Sequence, residues 1–147
     1  MNKKINDINK RLGEFAKNAV TKSNIENSAL IVKNNIFLRT SAGKSPNGGS
    51  FEKYSESYSK REGKSIVSMT KSGDMLGAMT QKALSDDKAI IFFNTSEARK
   101  LAEIHNKKGA GKSKIVRAFF QPSKSDRKKA VNAFRHEVMK QLKRKGF

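Results

Sequence analysis

The chain has no cysteine, no tryptophan, two prolines and two histidines in 147 residues. Without a thiol there is no disulfide framework, no cysteine nucleophile and no thiolate-held zinc or iron–sulfur centre. His105 and His136 stand 31 residues apart, a spacing that does not suit a histidine metal cage. Long apolar runs are also missing. The longest, Ala89 to Phe93, has five residues, whereas a bilayer-spanning helix needs ~20. Lys3 and Lys4 are not followed by an apolar segment, so no secretory leader is expected. Negative charge is scarce: 13 Asp and Glu face 32 Lys and Arg, a formal net charge of +19. Together these absences predict a soluble chain made in a reducing cytosol, with no membrane role, no metal and no cofactor.

The cationic excess is uneven. Residues 1–50 carry 9 basic and 3 acidic groups, residues 51–100 carry 9 and 7, and residues 101–147 carry 14 and 3. The last third therefore holds most of the charge. Repulsion of this size favours a polyanionic or acidic neighbour. The length fits one compact domain. Nine phenylalanines and clear periodicity argue against wholesale disorder, although hydrophobic content is only 35%.

Ile5, Ile8, Leu12, Phe15 and Ala19 are spaced 3, 4, 3, 4, one face of an amphipathic helix. Ser23 with Glu26 three residues on reads as a capping box opening a second pattern through Ile25, Ala29, Val32 and Ile36, which makes two helices or one long helix with a break near residue 22. Residues 41–50 are turn-formers and read as a loop. Phe51, Tyr54 and Tyr58 suit a short helix or an extended arm, and Ser72-Gly73-Asp74 leads into a short helical segment. Lys82–Leu84 and Lys88–Phe93, joined through Asp86-Asp87, predict a β-hairpin whose second arm has the apolar character of a central strand. Asn94, Thr95 or Ser96 caps a helix reaching His105, and a Lys/Gly loop follows over 106–114. Ile115–Phe120 reads as a further strand, and Ser125 as the cap of a C-terminal helix through Phe134, Val138 and Leu142. The expected fold is α+β: N-terminal helices, a small, mostly antiparallel sheet, and a C-terminal helix packed on it. One domain over 1–147 divides into a helical region 1–40, a loop and arm 41–64 and an α+β core 65–147.

Catalytic patterns are lacking. Gly109-Ala110-Gly111-Lys112-Ser113 resembles part of a phosphate-binding loop, but Asn106 stands where its first glycine belongs, and a helix precedes where a strand is needed. His105 has Glu103 nearby but no accompanying nucleophile pattern. We expect no enzyme. The basic residues carry more meaning. Lys107, Lys108, Lys112 and Lys114 share one loop, while Lys124, Arg127, Lys128 and Lys129 crowd the start of the last helix, where cations oppose the dipole. These eight are the candidate contacts to a polyanion or an acidic partner. No zinc-finger, aromatic RNA-binding or helix-turn-helix pattern is present, so base readout is not expected.

The order of segments resembles the virion-morphogenesis, or tail-completion, family of tailed bacteriophages. The resemblance rests on Ser45-Pro46-Asn47-Gly48-Gly49, Phe51-Glu52-Lys53-Tyr54-Ser55, Met69 to Leu76 with its Ser72-Gly73 step, Leu101 to Gly109 with Ile104-His105, and Val116-Arg117-Ala118-Phe119-Phe120. It spans about residues 1–145. Phe51 replaces the family's usual tryptophan, and Ala118 its usual proline. The resemblance implies a non-enzymatic virion subunit that forms a homo-oligomeric ring, a hexamer, at the head–tail junction and is assembled in the host cytoplasm. Its implied partners are the head connector on the portal side, the tail tube and the genomic DNA passing through the bore. Six copies would carry +114, a charge that DNA or acidic collar faces would neutralise. On this view Pro46, Gly48, Gly49, Phe51, Tyr54, Ser72, Gly73, His105, Arg117 and Phe119 are candidate subunit or partner contacts. Plainer roles stand beside these: Ser72-Gly73 as a helix cap and turn, Arg117 as an ion-pair partner of Glu97 or Glu103, and Phe92, Phe93, Phe119 and Phe120 as core. A small basic protein that binds nucleic acid without sequence preference is the alternative function.

Overall fold

The computed structural model describes residues 2–70 and 72–146. Six α-helices and one two-stranded antiparallel sheet make up its regular elements, an α+β fold. In chain order they are α1 (Asn2–Asn18), α2 (Lys22–Ser41), α3 (Glu56–Glu62), α4 (Asp74–Gly77), β1 (Met79–Ala83), β2 (Ala89–Phe93), α5 (Ser96–Glu103) and α6 (Lys124–Arg144). A single π turn, Ile104–Lys108, extends α5.

The break between the first two helices falls where the periodicity resets, but the cap is Thr21 and not Ser23. Thr21 is extended, and its Oγ1 accepts the Asn24 N–H at 3.3 Å. Asn24 is buried and bonds back to Thr21 through its side chain, which fixes the helix start two residues earlier than expected. A similar shift occurs at α6, where Ser123 caps in place of Ser125. A capping box needs an acceptor three residues on. From Ser123 that residue is Asp126, whereas from Ser125 it would be Lys128, which has none. Both reciprocal bonds form, Asp126 N to Ser123 Oγ at 3.0 Å and Ser123 N to Asp126 Oδ2 at 2.8 Å.

The hairpin pairs Met79 with Phe93 through Ala83 with Ala89, so its first arm starts earlier than Lys82. β2 lies at an edge and is not a central strand, and Ile90 is exposed. α2 lies against both strands and against α6, which brings the C-terminal helix into the layer covering the sheet. α5 packs on α4 and β2. The buried side chains form one cluster in which Ile36 of α2, Leu76, Met79, Phe93 and Phe119 meet Phe51, Val67 and Met69 from the connecting segments. Phe93 packs edge-on to Phe119 at 6.4 Å and lies 4.7 Å from Phe120.

The expected strand at Ile115–Phe120 does not form. Its backbone donors are satisfied elsewhere: Arg117 N–H bonds to the His105 carbonyl at 2.8 Å, and the Phe119 and Phe120 N–H groups both reach Asn106 Oδ1 at 3.0 Å. With those donors taken by the π turn and one asparagine, no ladder partner is required.

Candidate nucleic-acid interface

Two arginines organise the surroundings of the candidate residues. Arg39, near the end of α2, forms an ion pair with Asp126 and donates to the carbonyls of Phe119, at 3.0 Å, and Gln121. Its side chain is 13% exposed and that of Asp126 6%. One guanidinium thus ties α2 to the start of α6 and to the segment entering it. Arg117 is buried as well. Its Nε donates to the Glu52 carbonyl at 2.9 Å and its Nη2 to the Lys53 carbonyl at 3.0 Å, with the guanidinium 5.1 Å from the centre of the Tyr54 ring. The ion pair expected with Glu97 or Glu103 is replaced by these main-chain and ring contacts. Arg117 therefore holds the segment Phe51–Ser55 that leads into α3.

Of the candidate subunit contacts, Phe51, Arg117 and Phe119 lie inside the chain, with Phe119 fully buried. They hold the monomer together and present no surface to a neighbour. Tyr54 is half-buried, meets Tyr58 in a tilted ring contact at 4.7 Å between ring centres, and has its hydroxyl pKa raised mainly by burial. His105 sits on the π turn, half-buried, with Nδ1 shielded and unpaired; burial first, and Arg117 second, lower its pKa. Gly73 is the left-handed cap of α4 at φ +80°, and Ser72 Oγ accepts the Asp74 N–H at 3.4 Å, which matches the cap-and-turn role. Gly48, Gly49 and half-exposed Pro46 form the tip of a turn closed by a Lys44–Ser50 bridge.

That turn faces the start of α6 across a cleft of about 910 Å³. Lys44, Pro46 and Gly48 line one side, and Lys124, Arg127 and Lys129 the other. The fold thus brings together the Pro46 turn and the α6 cluster, which are remote in sequence. Lys128 is exposed but outside the lining. Lys107, Lys108, Lys112 and Lys114 do not line it either; Lys108 pairs with Glu103 at 3.1 Å, and the others are exposed around the Ala110–Ile115 bridge. Gly109 is required there. At φ +80° it packs against the backbone of Lys114, and a Cβ would collide with that carbonyl.

Sequence reasoning missed Arg39, Asp126 and Asn106. Asp126 alone left a signal, as the only carboxylate in a run of cations and three residues after a serine. Among the described residues no cluster of His, Asp or Glu is placed to hold a metal ion, and no helix is long and apolar enough to cross a membrane. Comparison with protein-family models, with curated proteins and with solved structures gives no match.

Proposed function

We propose that the chain is a structural, non-catalytic virion subunit of a tailed bacteriophage. It assembles as a ring, a hexamer, that completes the tail and joins it to the head connector. The observation that carries this reading is the uncovered apolar face of α1. Ile5, Ile8 and Leu12 are 50%, 47% and 43% exposed, although they form the regular stripe that a helix turns toward a partner. Leu38, Ile66, Val116 and Met139 are exposed on other parts of the surface. A ring needs two different, complementary faces on each subunit, because its contacts run head to tail. The order of sequence motifs supplies the identity of the assembly, and the charge of +19 supplies a reason for DNA in its bore.

Light scattering at moderate salt, with and without a short random duplex, tests the proposal. A six-chain species without DNA supports it. The cationic cleft favours a second reading, a monomeric nucleic-acid-binding protein. A chain that stays monomeric at every concentration and binds duplex with a steep salt dependence would establish that reading instead.

A further inference from the structure

The cleft between the Pro46 turn and the start of α6 is lined by five cations and one carboxylate among the described residues. Lys44, Lys124, Arg127 and Lys129 are exposed on its rim. Asp126 is the one carboxylate of the lining, and Arg39 and the Ser123 N–H already engage it. Asn35 Nδ2 and Arg39 Nε, on two further lining residues, are buried without an acceptor and add no acceptor to the cleft. Three of the four rim cations occupy the first two turns of α6, next to the positive end of its dipole, where they cost stability. Solubility would be served equally well by cations at the other end of the helix.

The lining also selects among polyanions. Among the described residues it contains no aromatic side chain, so these offer no platform for the stacking on which single-strand binding relies. Its apolar side chains are Leu38 and two prolines, without the aromatic anchors that carry most of the energy of protein interfaces. Apart from Asp126, the remaining side chains are lysine, arginine, serine, asparagine and glutamine, all of them donors to phosphate oxygens.

We propose that this cleft binds the phosphate backbone of duplex DNA, gripping it between Lys44 on the Pro46 turn and Lys124, Arg127 and Lys129 on α6. The assignment deepens the head–tail reading, rests on it for the source of the duplex, and marks the cleft as a wall of the bore. The loop carrying Lys107, Lys112 and Lys114 is not part of this grip.

The test is duplex binding by the full chain, followed by fluorescence anisotropy across a salt series. The fourfold variant Lys44→Gln/Lys124→Gln/Arg127→Gln/Lys129→Gln is compared with Lys107→Gln/Lys112→Gln/Lys114→Gln. The cleft variant is expected to bind at least about tenfold more weakly, with a log–log salt slope shallower by about 3 to 4, as four lost phosphate contacts require. The loop variant is expected to keep the parent's slope. The cleft variant should melt close to the parent, because three of its lost cations lie at the start of α6, where they oppose the dipole, and the fourth is exposed on the turn; its weaker binding then cannot come from unfolding. Equal losses in both variants, or parent-like binding by the cleft variant, would overturn the proposal. So would tighter binding of single strands than of duplex, or poly-glutamate bound as tightly as duplex through the same four cations. Oligomeric mass is read separately: a monomer that grips duplex through these four residues upholds the cleft and counts against the ring.

Discussion

Asp126 caps its own helix and at the same time receives Arg39 from α2, so one carboxylate fixes both the start of α6 and its attachment to the core. Both side chains are largely withdrawn from water. Removing the acid would strip the reciprocal half of the capping box, leaving the Ser123 N–H without its acceptor, and leave the Arg39 charge without its partner. Asp126→Ala is expected to destabilise the chain by about 3 kcal/mol. Asp126→Asn keeps a capping acceptor and should cost less. Urea denaturation midpoints of the two variants check the order; equal midpoints would show that the cap contributes nothing.

Phe119 separates folding from assembly. It is fully buried between Phe93 and Phe120, so Phe119→Ala opens a cavity and should cost about 3–5 kcal/mol in the monomer. Assembly would then fail because the fold fails. A variant that melts like the parent would return Phe119 to the surface and contradict the packing described above.

Arg117 makes a different prediction, about order in one segment. Its hydrogen bonds to the carbonyls of Glu52 and Lys53 and its place over Tyr54 hold the chain that leads into α3. Lysine cannot make the same forked contact. Arg117→Lys should therefore speed tryptic cleavage at Lys53, Lys60 and Arg61 severalfold over cleavage elsewhere. Uniform cleavage rates would mean that the arm is held by Phe51 alone.

Elements with a local cause were legible in the sequence. The stripe Ile5–Leu12, the break near residue 22, the Asp86-Asp87 turn and a helix cap within Asn94–Ser96 each follow from spacing or from local side chains, and Thr95 is the one of those three that caps. The errors share a different origin, namely side chains that act over long sequence distances. Asn106 takes the backbone donors of Phe119 and Phe120 and so turns an expected strand into an irregular segment. Arg117 looked like an ion-pair partner because carboxylates were the obvious acceptors, yet backbone carbonyls from the arm reach it first. The cleft itself was half-legible. Its cations and its proline turn both stand out in the sequence, but the packing of α6 on α2, with the Arg39–Asp126 ion pair in it, places them opposite each other.

The histidine on the π turn gives a pH dependence of defined sign. Burial, aided by Arg117, holds the folded-state pKa of His105 below its ordinary 6.5. As pH falls through that window the unfolded chain takes up the proton more readily than the folded one, so stability falls with it. Melting temperature should therefore decline as pH falls through and below the ordinary 6.5, and His105→Gln should flatten that part of the profile. A parent profile already flat there, or one that rises toward acid, would contradict the environment assigned to His105.

The face of α1 bears on the ring itself. Ile5, Ile8 and Leu12 contribute little to the monomer because they are about half exposed, so Ile5→Ser/Ile8→Ser/Leu12→Ser should leave the melting temperature nearly unchanged. Light scattering of the parent and this variant over a range of concentrations, at moderate salt, then decides the matter. A ring subunit predicts a six-chain mass for the parent, and a monomer for the variant with its fold intact. A parent that remains monomeric throughout, or a variant that assembles as the parent does, would contradict the assignment of this face to subunit contact.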